Sequence, residues 1–189
     1  MSGNYIQFFF MSFLLLFDLS ATIVKTSSWK KIAVELKKLD KKGLAVFDID
    51  YTLIAPNDGI LAPCGHKYLI DYFRRFQEQE NNWDILMSKI LLQSKVSLAD
   101  KRILPILEDL KKRKIKTIAL TAMSPGKLGL IPEMEEWRVE QLKTVGIQLD
   151  WSFPEKNTVI LKLVENEREL STFKKGIIAS GFIPKGDAL

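Results

Sequence analysis

Apolar and polar positions alternate in blocks along this chain, and the period inside each block predicts an element. The first block is the most apolar: Phe8–Phe17 holds Ser12 as its polar residue, within a longer stretch Tyr5–Val24 that also carries Gln7 and Asp18. That length suits the apolar region of a secretory signal better than a spanning helix. Ser20 and Ala21 supply small residues where a leader would be cut, although no basic residue precedes the run. Segment 1–24 is therefore expected to export the chain to a periplasmic or extracellular space. An uncleaved membrane anchor and a buried N-terminal helix are the alternatives.

Beyond it the blocks read as layered α/β structure. SSWKKIAVELKKLDKKG places Trp29, Ile32, Ala33 and Leu36 on one face with lysines opposite, a helix with Ser27 or Ser28 as cap and Gly43 beyond its end. LAVFDID, 44–50, is a continuous apolar run ending in acids, as expected of a central parallel strand buried on both faces. Residues 61–80 and 83–98 read as two helices broken at Asn81 and Asn82, and 100–115 as another with Pro105 in its first turn. KTIALTA is a second apolar strand, and EMEEWRVEQLKTVGI is a helix that Gly146 ends. IQLDWSF, NTVILKLV and FKKGIIAS are strand candidates, the latter two forming a hairpin. The order suggests one α/β domain over 27–189, with 57–98 as a small, mostly helical insertion.

Composition narrows the function classes. The chain of 189 residues has 28 basic and 23 acidic residues, a mild positive excess without arginine-rich blocks or interleaved aromatics, so no nucleic-acid partner is expected. One cysteine, Cys64, and one histidine, His66, leave no internal disulfide and no Cys/His metal spacing.

The chemistry concentrates at the end of the first strand. Asp48 and Asp50 lie two residues apart, so a regular strand would turn both carboxylates the same way. Ligands of parallel α/β sheets bind beyond such carboxyl ends. Two converging carboxylates call for a cation, a shared proton or water, and Mg²⁺ suits, because it binds through one or two carboxylates plus substrate phosphate. Asp48 could then attack phosphorus while Asp50 serves the leaving oxygen and the hydrolytic water. Tyr51, between the acids and Thr52, is expected to pack beside the strand.

FDIDYTL resembles the first motif of the haloacid-dehalogenase-like (HAD) superfamily, Asp-x-Asp-x-Thr with apolar flanks. TIALTA is similar to its second motif, with the hydroxyl at Thr121, and IPKGDAL offers Lys185 for the third. More narrowly, the chain looks like an exported bacterial branch whose substrate is unknown. The resemblance implies a Rossmann-like three-layer sandwich and Mg²⁺-dependent hydrolysis of a phosphorylated small molecule or phosphoprotein through an aspartyl-phosphate. It implies that Asp48 and the Asp50 carbonyl ligate the metal, and that Thr121 and Lys185 hold the phosphoryl group. The fourth motif, an apolar strand ending in acids after the lysine, has no counterpart: Asp150 precedes Lys185, and Glu165, Glu167 and Glu169 read as a solvated turn. A C-terminally incomplete member is therefore expected, weakly active or inactive, prone to self-association through an incomplete sheet. The competing expectation is a non-catalytic exported interaction or effector protein that keeps the fold.

Overall fold

A computed structural model describes residues 23–59, 61, 62, 64–77, 83–156, 158–163, 170–181 and 183–189. Most of the apolar N-terminal segment, the Asn81–Asn82 break and the Glu165–Glu169 turn lie outside the described residues. No helix among the described residues is long and apolar enough to cross a membrane.

The protein is a mixed α/β structure. Its main sheet runs in the order β1 (Leu44–Asp48), β4 (Lys116–Thr121), β7 (Ile177–Ala179), β6 (Leu170–Lys174), β5 (Thr158–Leu163). The first three are mutually parallel, and β6 and β5 continue the sheet antiparallel. Around it lie α1 (Trp29–Leu36), α4 (Ile103–Lys112) and α5 (Met134–Thr144). A separate ribbon pairs β2 (Ile54–Pro56) with β3 (Val96–Leu98), and α2 (His66–Gln77) and α3 (Trp83–Gln93) fall between its strands.

Alternation along the strands sorts the core into two clusters. Ala45, Phe47, Ala119 and Ile177 face α4 and α5 through Ile103, Leu107, Leu110, Val139 and Leu142, with Trp29 and Leu36 of α1 packed alongside. Trp29 stacks on Phe47. Arg113, just beyond α4, donates to the carbonyls of Leu36, Lys37 and Leu39 and so ties down the end of α1. The opposite face gathers Ile118, Leu120, Phe173 and Ile178 under Ile183 and Ala188, with no helical residue in the cluster.

The expected three layers are thus two among the described residues, and the expected central strand is an edge strand. β1 is exposed on its second face, with Leu44 at 45% and Val46 at 39%. A continuous apolar run records that both faces avoid polar residues; it does not supply the layer that covers the second one. Three local expectations also change. Residues 96–98 leave the helix to pair with β2. Lys175 and Gly176, both at positive φ, split 173–180 into β6, a tight turn and β7. Asp150–Ser152 forms a single 3-10 turn instead of a strand. There Ser152 Oγ accepts from the Thr117 N–H at 2.9 Å, a donor that lies before the point where β7 begins to pair with β4.

Candidate functional site at the carboxyl ends of β1 and β4

The site begins where β1 stops. Ile49, Leu53 and Ile54 are fully buried, and the Ile49 carbonyl accepts from the N–H groups of Thr52, Leu53 and Ile54 at 3.3, 2.9 and 3.1 Å. This closes one helical turn directly after the strand. The turn is anchored by its apolar residues and pushes Asp50 and Tyr51 outward, with Tyr51 in the left-handed region at φ 58°. Tyr51 does not pack beside the strand as expected. It is exposed and its hydroxyl donates to the Leu61 carbonyl, tying the turn to the start of the insertion. Partial burial, and the nearby Asp50 charge, raise its pKa above the ordinary value.

Asp48 and Thr121 end neighbouring strands, in a register that pairs Asp48 with Leu120. Lys185, in the C-terminal turn, places Nζ 2.5 Å from Asp48 Oδ1, which also accepts from the Ile49 N–H at 2.9 Å. Asp50 is served from the other side. The Thr121 hydroxyl donates to Oδ2 at 3.2 Å, and Arg138 Nη1 lies 3.2 Å from Oδ1. All four expected residues therefore gather here. The two carboxylates, however, do not share a partner: the strand has ended before Asp50, strict alternation no longer holds, and each acid takes its own cation.

Arg138 is the residue of this cluster that sequence reading missed. Its position carries a signal that could have found it: Met134, Arg138 and Leu142 are spaced four apart, and all three are buried on α5. A charge on an apolar stripe asks for a partner. The helix is set by neighbouring acids. Glu135, buried in the first turn, accepts from the Gly126 N–H at 2.7 Å and the Thr172 hydroxyl at 2.9 Å. Glu136 pairs with Lys174 at 2.9 Å and Lys175 at 2.6 Å, and these bonds hold its pKa below the usual glutamate range.

The loop between β4 and α5 also meets the insertion. Gly129 has φ 54°, and a Cβ there would lie 2.1 Å from the Asp84 carbonyl oxygen of α3. Ser88 Oγ donates to the Ile85 carbonyl and accepts from the Leu130 N–H at 2.9 Å. The β4–α5 loop thus rests on α3.

Two acids, a hydroxyl and two cations can bind an anion and move a proton. Among the described residues, no group of three or more His, Cys, Asp or Glu is arranged to hold a metal. Fold and site together define an α/β protein with a doubly ion-paired acidic site beyond adjacent parallel strands. Residues 25–189 match the family described as "Protein of unknown function (DUF2608)", and the chain belongs to it. No curated protein and no solved structure matches the chain.

Proposed function

We propose that this protein is a Mg²⁺-dependent phosphohydrolase of the HAD type, acting on a phosphorylated small molecule or phosphoprotein after export by its N-terminal segment. The observation that carries this reading is the convergence of residues far apart in sequence: Lys185 on Asp48, and Thr121 on Asp50, at the ends of adjacent parallel strands. The donor set fits a hard cation in part. Lys185 and the Ile49 N–H both use Asp48 Oδ1, and neither engages Oδ2. Asp48 and the Asp50 carbonyl would hold the ion, which keeps several waters. Bound there, it would offset the repulsion between carboxylate and phosphate.

In this reading an Asp48 carboxylate oxygen bonds to phosphorus as the bond to the leaving oxygen breaks, and Asp50 gives that oxygen its proton. Asp50 then takes a proton from the water that attacks the aspartyl-phosphate, which restores Asp48 and frees phosphate. Lys185 balances charge at Asp48, and Thr121 offers its hydroxyl beside Asp50. Two protein ligands would hold the ion loosely, and phosphoryl transfer depends on positioning and charge, so turnover is expected to be slow.

The test is release of p-nitrophenol from p-nitrophenyl phosphate by the purified protein. Slow turnover that requires Mg²⁺ and disappears in Asp48→Asn is expected. Turnover indifferent to that substitution, or none at any Mg²⁺ concentration, overturns the reading. The alternative is a non-catalytic exported interaction protein. It is favoured by one observation: both carboxylates are already neutralised by cations of the same chain.

A further inference from the structure

Arg138 sits in surroundings that packing alone does not explain. It is 8% exposed, between Met134 and Leu142 on the buried stripe of α5. Taking a guanidinium out of water is costly, and an apolar side chain of similar volume often serves a fold better. Nη1 also donates to Gln141 Oε1 at 2.7 Å, and the guanidinium lies 5.0 Å from the Trp137 ring centre. Nε is buried without a hydrogen-bond partner, a further cost. What the residue gains in return is Asp50, whose side chain is 46% exposed and would otherwise be held by the Thr121 hydroxyl alone. Thr121 from β4 holds one carboxylate oxygen and Arg138 from α5 the other, so donors from two elements fix the plane of the group.

We propose that Arg138 is a positioning residue that locks the Asp50 carboxylate in the orientation in which it exchanges protons with the leaving oxygen and the hydrolytic water. This rests on the phosphohydrolase reading above. Arg138 is too deeply buried to touch a substrate, so its effect passes through Asp50. It should appear in kcat and not in KM, and it should vanish when Asp50 can no longer carry a proton.

The experiment compares the wild type, Arg138→Gln, Arg138→Lys, Asp50→Asn and the Asp50→Asn/Arg138→Gln double variant, with p-nitrophenyl phosphate and Mg²⁺. Arg138→Gln is expected to lower kcat about 10²-fold, the low end of what general acid–base catalysis contributes, with KM nearly unchanged. Arg138→Lys should recover part of the loss. In the Asp50→Asn background the same Gln substitution should cost nothing more. An equal loss in both backgrounds would mark a purely structural arginine, and a rise in KM alone a substrate-binding one; either overturns the proposal. If Arg138→Gln fails to fold, Arg138→Lys makes the same comparison in the two backgrounds. A wild type without Asp48-dependent turnover overturns the phosphohydrolase reading instead. Denaturant unfolding of Asp50→Asn, the Arg138 variant that folds and their double then judges the pairing by itself: non-additive midpoints uphold it, and additive ones overturn it.

Discussion

Two helix ends show how much a single residue can decide. After α4, the Ile115 N–H reaches the Leu110 carbonyl and the Lys114 N–H reaches that of Lys111; after α5, Ile147 reaches Leu142 and Gly146 reaches Lys143. These are two copies of one capping arrangement, closed by apolar contact across the bend. Its left-handed residue is Gly146 in one copy and Lys114, at φ 59°, in the other. Lys114→Gly is expected to stabilise the protein by about 0.5 kcal/mol, since the strain of a side chain at positive φ outweighs the added chain entropy. Gly146→Ala should destabilise it by about 1 kcal/mol. Denaturant titration reads both. Within the site, Asp48, Asp50, Thr121 and Lys185 were legible because residue type, order and spacing all pointed to one chemistry. Arg138 was not, because a lone arginine in a helix full of charges looks solvated until the apolar stripe is traced through it.

At the scale of elements, the contact between the β4–α5 loop and α3 is a backbone fit. A methyl group at Gly129 has nowhere to go, because the Asp84 carbonyl of α3 is the obstacle. Gly129→Ala should therefore lift the loop from the helix, lowering the thermal midpoint and raising amide exchange over 83–93. The link between α5 and the β6–β7 turn is electrostatic. Glu136 has a folded-state pKa below its unfolded one, so its pairing with Lys174 and Lys175 adds stability above the ordinary glutamate range. That contribution is lost as pH falls through the depressed value. Glu136→Gln should flatten this acid limb in a series of unfolding curves. Helices α1, α4 and α5 were legible because each spans several turns between recognisable ends, and strands β1 and β4 because each holds an unbroken apolar run. Strand β3 was not: three residues have no period, and Val96–Leu98 continued the apolar pattern of α3. The turn at Lys175 and Gly176 was hidden inside one short segment that begins with Phe173 and resumes its apolar run at Ile177 and Ile178.

At the scale of the molecule, the described residues cover one face of the main sheet and part of the other. Leu44 and Val46 on the edge strand, with Ile160 and Leu161 at the other side of the sheet, present apolar surface to solvent. Unpaired strand edges and apolar faces favour association with further chains. Sedimentation of the purified protein should show concentration-dependent self-association that Val46→Lys weakens; a monomer at all concentrations would count against it. The N-terminal segment predicts a second property of the whole chain. Protein recovered from the periplasm or medium of a bacterial host should begin near Ala21, and an intact Met1 on cytoplasmic protein would contradict export. Fold class could be read from the alternation of helix-like and strand-like blocks. The layer count could not, since an apolar strand face looks the same whether a helix, a second chain or water lies against it.

The β2–β3 ribbon has a consequence for engineering. Pro56 pairs with Val96, and the Asn57 N–H donates to the Lys95 carbonyl at 2.8 Å, so the chain leaves the sheet domain and returns to it at one point. The insertion between those residues also touches the rest of the molecule where the Tyr51 hydroxyl meets the Leu61 carbonyl and where the β4–α5 loop meets α3. The main sheet, the turn after β1 and the four acid and base side chains all lie outside it. A two-residue hairpin turn spliced between Pro56 and Val96 should keep the strand ends paired but leave the Tyr51 hydroxyl and the Leu130 N–H without these partners. An insertion of unrelated sequence at this point would have to resupply both contacts to keep the turn after β1 and the β4–α5 loop in place.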